Sequence, residues 1–205
     1  EEWEKNYFQP LIIGEDAEHP RCVIAATFHK DVPQGEYNIR INPQMSFGTG
    51  HHQTTAQMID RILTDDFNGK FVLDMGCGTG ILAILAKMRG ASQCVAVDYD
   101  EWCVNNTRDN IALNEISDIM VVHGDASALK PLENTFDVII ANINRNILLQ
   151  DLDKYVASLR VGGTIYMSGF YMEDVLSLVE KGTMLGLSLV DVKQRDNWAC
   201  LKMSR

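Results

Sequence analysis

Short apolar runs and stretches with helical spacing alternate along most of this chain. Residues 71–75, 94–98, 119–123, 136–141 and 164–168 have the length and composition of buried strands. Between them, residues 81–89, 101–113, 147–159 and roughly 173–184 repeat their apolar positions at helical intervals, with Gly162-Gly163 as a stop before the fifth strand. Such a series of βαβ units predicts an α/β fold with a doubly wound parallel sheet. The end of the chain breaks the rhythm: residues 188–193 and 198–203 are strands joined only by Gln194-Arg195-Asp196-Asn197, too short for a parallel crossover. The prediction is a mostly parallel seven-stranded sheet with a C-terminal antiparallel hairpin.

Upstream, residues 22–27 and 37–41 read as short strands around the turn-rich Asp31-Val32-Pro33-Gln34-Gly35, and together as a lead-in hairpin. A helix is expected over 54–65, with Ala56, Ile59, Ile62 and Leu63 on one face. Residues 1–45 are therefore expected to be linker and lead-in strands, and 46–205 the domain that carries the chemistry.

Composition narrows the class. The chain has 205 residues, 46% hydrophobic and 22% charged, which suits an ordinary folded domain. With 28 acids against 18 bases its formal charge is −10, which weighs against a bare nucleic-acid backbone and favours a basic partner, or simply confers solubility. The longest apolar stretches fall far short of the ~20 residues of a membrane span. The start, Glu1-Glu2-Trp3-Glu4-Lys5, has no apolar signal core, so a cytoplasmic location is expected. There is no initiator Met, and residue 1 reads as a cut in a longer protein. Cys22, Cys77, Cys94, Cys103 and Cys200 are odd in number and contain no Cys-x-x-Cys pair, which disfavours disulfides and a zinc site. His51-His52 lacks an evident third ligand, so no metal is expected.

The chemistry concentrates where the first parallel strand turns into its helix, at Asp74-Met75-Gly76-Cys77-Gly78-Thr79-Gly80. In an open α/β sheet, ligands bind at the carboxyl ends of strands beside the switch point. Glycines there permit unusual dihedrals and let main chain approach a ligand. The pattern is D-x-G-x-G-x-G, with Ile81 where a dinucleotide fingerprint has glycine. Asp98 ends the second strand, where a carboxylate can accept both hydroxyls of a ribose. An adenosine-bearing ligand follows.

These residues resemble the S-adenosylmethionine-dependent methyltransferases of the Rossmann-like class over residues 70–205. Within that class, Asn42–Thr55 and Ile140-Ala141-Asn142-Ile143 are similar to the bacterial methyltransferases acting on large-subunit ribosomal protein eleven. Residues 3–10 resemble the stretch joining that family's catalytic domain to an N-terminal recognition domain, absent from this sequence. The resemblance implies S-adenosylmethionine as cofactor, with Gly76 and Gly78 along its methionine portion and Asp74 in the same loop. It places Asp98 on the ribose, Tyr99 beside the adenine, and Asp125 with Ala126 at the adenine edge. It also implies contacts from Thr55 and Asn142, and from Phe47, Gly48 and Thr49 folding over the bound molecule. Asp125 has the alternative reading of a solvated loop acid, and the Thr55 hydroxyl that of a helix cap.

Asn142 is the catalytic candidate, because its side-chain carbonyl can accept a hydrogen bond from an incoming amine. Asn142-Ile143-Asn144-Arg145 lacks the prolines and aromatic typical of enzymes that methylate amide or base nitrogens, which leaves an aliphatic amine as acceptor. The family likeness implies methylation of lysine and N-terminal amines of a basic ribosomal protein, with no direct nucleic-acid or membrane partner. The alternatives are a methyltransferase for RNA or a small molecule, a nicotinamide dehydrogenase, and a non-catalytic adenosine-binding module.

Overall fold

The computed structural model describes residues 8–14, 16, 18–43 and 51–205, with 51 and 52 described by backbone alone. A small lead-in sheet holds β1 (Leu11–Ile13), β2 (Cys22–Ala26) and β3 (Tyr37–Ile41). Helix α1 (His51–Thr64) then leads to the main sheet. The strands there are β4 (Phe71–Met75), β5 (Gln93–Asp98), β6 (Ile119–His123), β7 (Phe136–Asn142), β8 (Leu159–Tyr171), β9 (Ser188–Arg195) and β10 (Trp198–Ser204). Between them run α2 (Ile81–Met88), α3 (Glu101–Leu113), α4 (Arg145–Ser158) and α5 (Val175–Met184). The main sheet has the order β6-β5-β4-β7-β8-β10-β9, parallel through β8, with β10 antiparallel to both β8 and β9. The α/β architecture and the terminal hairpin agree with the sequence pattern. Strand order reverses between β4 and β7, so the switch point lies at their carboxyl ends, beside Met75 and Asn142.

The strands have a side-chain period of two, and this divides the core into two layers. Val72, Ala96, Val138, Ile140 and Tyr166 face α1, α2 and the lead-in sheet. Leu73, Val97, Ile139, Ile165 and Leu201 face the layer that contains Leu148, Leu152 and Tyr155 of α4 and Leu178 of α5. Ile13, Cys22, Ile24, Ala26, Ile39 and Ile41 of the lead-in sheet belong to the first layer, so these strands share one core with Cys77 of the glycine-rich turn.

Two expectations differ from the structure. The segments 22–27 and 37–41 do not form a hairpin: β2 and β3 pair in parallel, Cys22 opposite Tyr37 and Ala26 opposite Ile41, and the antiparallel partner of β2 is β1. The turn-rich connection is anchored back to the start of β2, where Glu36 and Tyr37 donate to the carbonyls of Pro20 and Arg21 at 3.1 and 2.8 Å. That anchoring returns the chain to the same end of the sheet. The second difference is Gly162-Gly163, which lies inside β8 rather than ending the preceding helix. A Cβ at Gly163 would come within 2.6 Å of Leu159 Cδ1 and 2.8 Å of the Arg160 carbonyl, so glycine allows the strand to bend over itself. The bend is fixed to the chain end, where Gly162 N–H donates to the Arg205 carbonyl at 2.8 Å and Arg205 N–H donates to the Gly163 carbonyl at 2.9 Å.

A charged cluster locks α1 to the terminal hairpin. The Arg61 side chain is 2% exposed; its guanidinium hydrogen-bonds Asp191, donates to the Cys200 carbonyl at 3.2 Å and lies 5.7 Å from the Tyr166 ring centre. The Tyr166 hydroxyl donates to Asp65, which also accepts from Lys202 Nζ at 3.0 Å. The hydrogen bond from Arg61 holds the Asp191 carboxyl below its ordinary range. Asp191→Ala leaves a buried cation with one neutral acceptor and is expected to lower stability by about 2 kcal/mol in urea unfolding, since the carboxylate is partly exposed. A loss below about 0.5 kcal/mol would mean that the carbonyl and the ring suffice.

Candidate active site

The site is assembled from the carboxyl ends of β4, β5 and β7. The N–H groups of Gly76 and Cys77 both donate to the Val97 carbonyl, at 2.8 and 3.0 Å, which folds the turn after β4 over the end of β5. Asp98, the next residue, accepts from Gly78 N–H with Oδ2 and from Asp100 N–H with Oδ1, each at 3.0 Å. Each carboxylate oxygen keeps a further lone pair for a ligand hydroxyl. Gly76, Gly78 and Gly80 all have positive φ, 76°, 55° and 84°. Gly76 is confined as well, since a Cβ there would lie 3.1 Å from Ile143 Cγ1.

Ile143 is held from the other side by Gly169, whose absent Cβ would fall 2.7 Å from the Ile143 carbonyl, and Ile143 N–H donates to Ser168 at 2.9 Å. The backbone after Asn142 is thereby wedged between β8 and the glycine turn, and Asn142 is brought to the cavity.

That cavity, of about 280 Å³, is lined by Thr55, Gly76, Gly78, Asp98, Tyr99 and Asn142 among the sequence candidates. Cys77, Thr79, Ile81, Leu82, Asp100 and Cys103 complete the lining. Cys77, Thr79 and Asp100 adjoin a candidate in sequence, Ile81 and Leu82 open α2 behind the glycine turn, and Cys103 follows one helical turn after Tyr99. Thr55 lies within α1, which starts at His51, so the expectation that it begins and caps that helix is not met. Asp74, Asp125 and Ala126 stand outside the lining. Asp125 caps the short 3-10 turn Ala126–Leu129 by accepting from Ser127 N–H at 2.9 Å, and hydrogen bonds from Ser127 hold its carboxyl below the ordinary range. Phe47, Gly48 and Thr49, and the side chains of His51 and His52, lie outside the described residues. Among the described residues no cluster of His, Cys, Asp and Glu is arranged to hold a metal ion, and no helix is long and apolar enough to cross a membrane.

Asp74 lies beneath the turn, 1% exposed, with Oδ2 unpartnered among the described residues. Burial pushes its carboxyl up to about 7; the Ala83 backbone N–H opposes this and the charge of Asp98 adds to it. Burial likewise raises the Cys77 thiol, so it is not a poised nucleophile.

A parallel sheet reversing at this point, a glycine turn clasped by the acid of the neighbouring strand, and an antiparallel closing hairpin define the Rossmann-like methyltransferase class. Comparison with known proteins narrows the class. The sequence profile of ribosomal protein L11 methyltransferase (PrmA) matches residues 1–205, and the chain belongs to that family. It is 57% identical over 202 residues to the ribosomal protein L11 methyltransferase of Phocaeicola vulgatus, covering 98% of this chain and 70% of that protein. The Bacteroides thetaiotaomicron relative of the same name is 54% identical over 204 residues, 100% of this chain and 71% of that one. A crystal structure of ribosomal protein L11 methylase from Lactobacillus delbrueckii subsp. bulgaricus superposes with a TM-score of 0.84 at 26% identity, covering 97% of this chain and 98% of that one.

The raised carboxyl of Asp74 makes stability depend on pH in a definite direction. Between the ordinary aspartate value and about 7 the unfolded chain has released the proton that the folded state retains, so stability falls as pH rises through that window and levels off above it. Asp74→Asn is expected to abolish this fall, gaining on the wild type by up to about 4 kcal/mol between pH ~4 and ~7. Parallel stability curves for the two proteins would show that Asp74 ionises normally.

Proposed function

We propose that this chain is an S-adenosylmethionine-dependent methyltransferase acting on amines of ribosomal protein L11, the lysine side chains and the N-terminal amine. The observation that carries the cofactor reading is the Asp98 clasp: a carboxylate that fixes the glycine turn through Oδ2 and its own loop through Oδ1, and keeps a second lone pair on each oxygen for a ligand in the cavity it lines. The donor set fits an adenosine-bearing ligand. Gly76 and Gly78 present bare backbone, Asp98 suits ribose hydroxyls, and the 76% exposed Tyr99 is available as a face for the adenine. Asp125 and Ala126, outside the cavity lining, are kept as candidates for the adenine edge on the family likeness, and Asp74 as a candidate beneath the turn. Phe47, Gly48 and Thr49 are kept as candidate contacts on the family likeness. The cofactor-binding unit is taken as 46–205, with the lead-in strands as its support.

Bound there, S-adenosylmethionine supplies a methyl group already activated on a sulfonium. The remaining work is binding, orientation and exclusion of water. Asn142, at the switch point, accepts a hydrogen bond from the incoming amine through its side-chain carbonyl and aims the nitrogen lone pair. A lysine amine must first be neutral, which at pH ~7.4 costs roughly 4 kcal/mol from its ordinary pKa of about 10.4. A site that removes the amine from water reduces that cost. The substrate is a ribosomal protein, and an acidic chain of net charge −10 is suited to a basic one in the cytoplasm.

Calorimetric titration with S-adenosylmethionine, with NADH as control, tests this reading. S-adenosylmethionine alone is expected to bind, and Asp98→Ala to weaken it by about two orders of magnitude, because a charge-assisted pair of ribose hydrogen bonds and the loop clasp are lost together. Asn142→Ala is expected to leave cofactor affinity within about twofold and to reduce methyl transfer to ribosomal protein L11 at least about a hundredfold, the signature of an orienting group. Unchanged transfer in Asn142→Ala would remove that residue from the chemistry. Binding of NADH alone would overturn the methyltransferase reading.

A further inference from the structure

Helix α3 buries a polar face. Its buried residues are Val104, Asn106, Thr107 and Asn110, where a surface helix ordinarily buries an apolar stripe. Buried carboxamides are costly unless their donors and acceptors are matched; Asn106 Oδ1 has no partner among the described residues, and the remaining partners form a pattern. Asn114, at the end of the helix, accepts from Arg40 N–H at 2.9 Å and donates to the Arg40 carbonyl at 2.7 Å. One turn back, Asn110 accepts from Asn42 N–H at 2.8 Å, and Asn106 donates to the Asn42 carbonyl at 2.8 Å. Residues four apart on a helix are separated by about 6.0 Å, and residues two apart on a strand by about 6.6 Å. The asparagines therefore fall in register with alternate residues along β3 and its continuation, replacing the neighbouring strand that this edge lacks.

Asn110 differs from Asn114 in where its nitrogen goes. Its Nδ2 donates to the Thr79 carbonyl in the glycine turn at 2.8 Å. Thr107, one turn earlier, donates its hydroxyl to the Gly78 carbonyl at 2.8 Å. Two consecutive carbonyls of the turn are thus drawn to α3. Because the peptide is planar and trans, holding the Gly78 carbonyl there turns the Thr79 N–H the opposite way. One carboxamide consequently joins the lead-in strand to the turn that lines the cavity.

We propose that Asn110 is a positioning residue for the cofactor-binding turn, a strut that sets the turn against the lead-in sheet, and that Asn114 is its purely structural counterpart. The proposal rests on the cofactor reading given above for this same turn. It makes the lead-in strands part of the support of the site.

Asn110→Ala and Asn114→Ala both remove helix-to-strand hydrogen bonds and both are expected to lower the melting temperature; only the first releases the turn. In the unliganded protein, hydrogen exchange at the Gly78 and Gly80 amides is expected to quicken at least about tenfold in Asn110→Ala and to stay within about twofold of wild type in Asn114→Ala. In calorimetry, S-adenosylmethionine affinity is expected to fall about tenfold in the first and to be retained in the second. Asn110→Asp provides a second route if the alanine variant folds poorly. It keeps an oxygen for Asn42 N–H but has no donor for Thr79, and should weaken binding as the alanine does. Equal exchange and equal affinity in the Asn110 and Asn114 variants would overturn the proposal. Failure of the wild type to bind S-adenosylmethionine would sink the cofactor reading instead, and the exchange measurement would still decide whether Asn110 positions the turn.

Discussion

Two of the three glycines where β4 turns into α2 have no room for a side chain. At Gly76 the space belongs to Ile143, and at Gly80 to Thr107, whose Cγ2 lies 2.8 Å from where a Cβ would sit. Gly78 has open space around it, but its φ of 55° still favours glycine. At Gly76 and Gly80 only backbone can pass, and hydrogen bonds from outside the turn set its shape. Val97 and Asp98 supply them from β5, and Thr107 and Asn110 from α3. The same crowding brings Asn142 to the cavity, because Ile143, its neighbour, is the residue that fills the space over Gly76.

The polar character of α3 follows from this constraint. An apolar stripe would pack the helix but could not orient carbonyls, since dispersion and burial have no preferred direction. The other layers need no such direction. In α2, Ile81 through Ala86 are buried without interruption and serve as filler between the main sheet and the lead-in strands. Directional bonds on one flank of the turn and isotropic packing on the other hold a main-chain surface that offers a ligand its own polar groups. Buried polar contacts are costly to leave half-made, which is why Asn110 uses both ends of its carboxamide.

The main sheet was legible because its strands are continuous apolar runs and its helices have periodic stripes; β4, α3 and β6 match the pattern residue for residue. The lead-in sheet was not, because β1 is only Leu11–Ile13 and a turn-rich connection carries no sign of whether the next strand runs parallel or antiparallel. In the site, the glycine turn and Asp98 announce themselves by residue type and spacing. Their supports do not. Asn106, Asn110 and Asn114 lie four residues apart in a segment whose weak apolar periodicity reads as a solvated helix, and asparagine at that spacing points equally to an exposed face. What they touch, residues 40, 42 and 79, is distant in sequence, and only the tertiary arrangement brings it within reach.

The acids around the cavity bear on the kind of chemistry the site can support. Asp98 has each oxygen bonded to a backbone N–H, Asp100 accepts from Trp102 N–H at 2.9 Å, and Asp74 is sealed beneath the turn. The first two are held in place by hydrogen bonds from backbone N–H groups. That suits transfer of a methyl group from a sulfonium to a neutral amine, in which one positive charge is present before and after and no oxyanion develops. In the proposed reaction, Asp98 at the ribose end and a neutral carboxamide at Asn142 would keep the field constant while charge passes from the sulfonium to the acceptor. A carboxylate at the acceptor end would hold the amine protonated and remove its lone pair, whereas the asparagine carbonyl of the proposed reading would orient the nitrogen without demanding its charge.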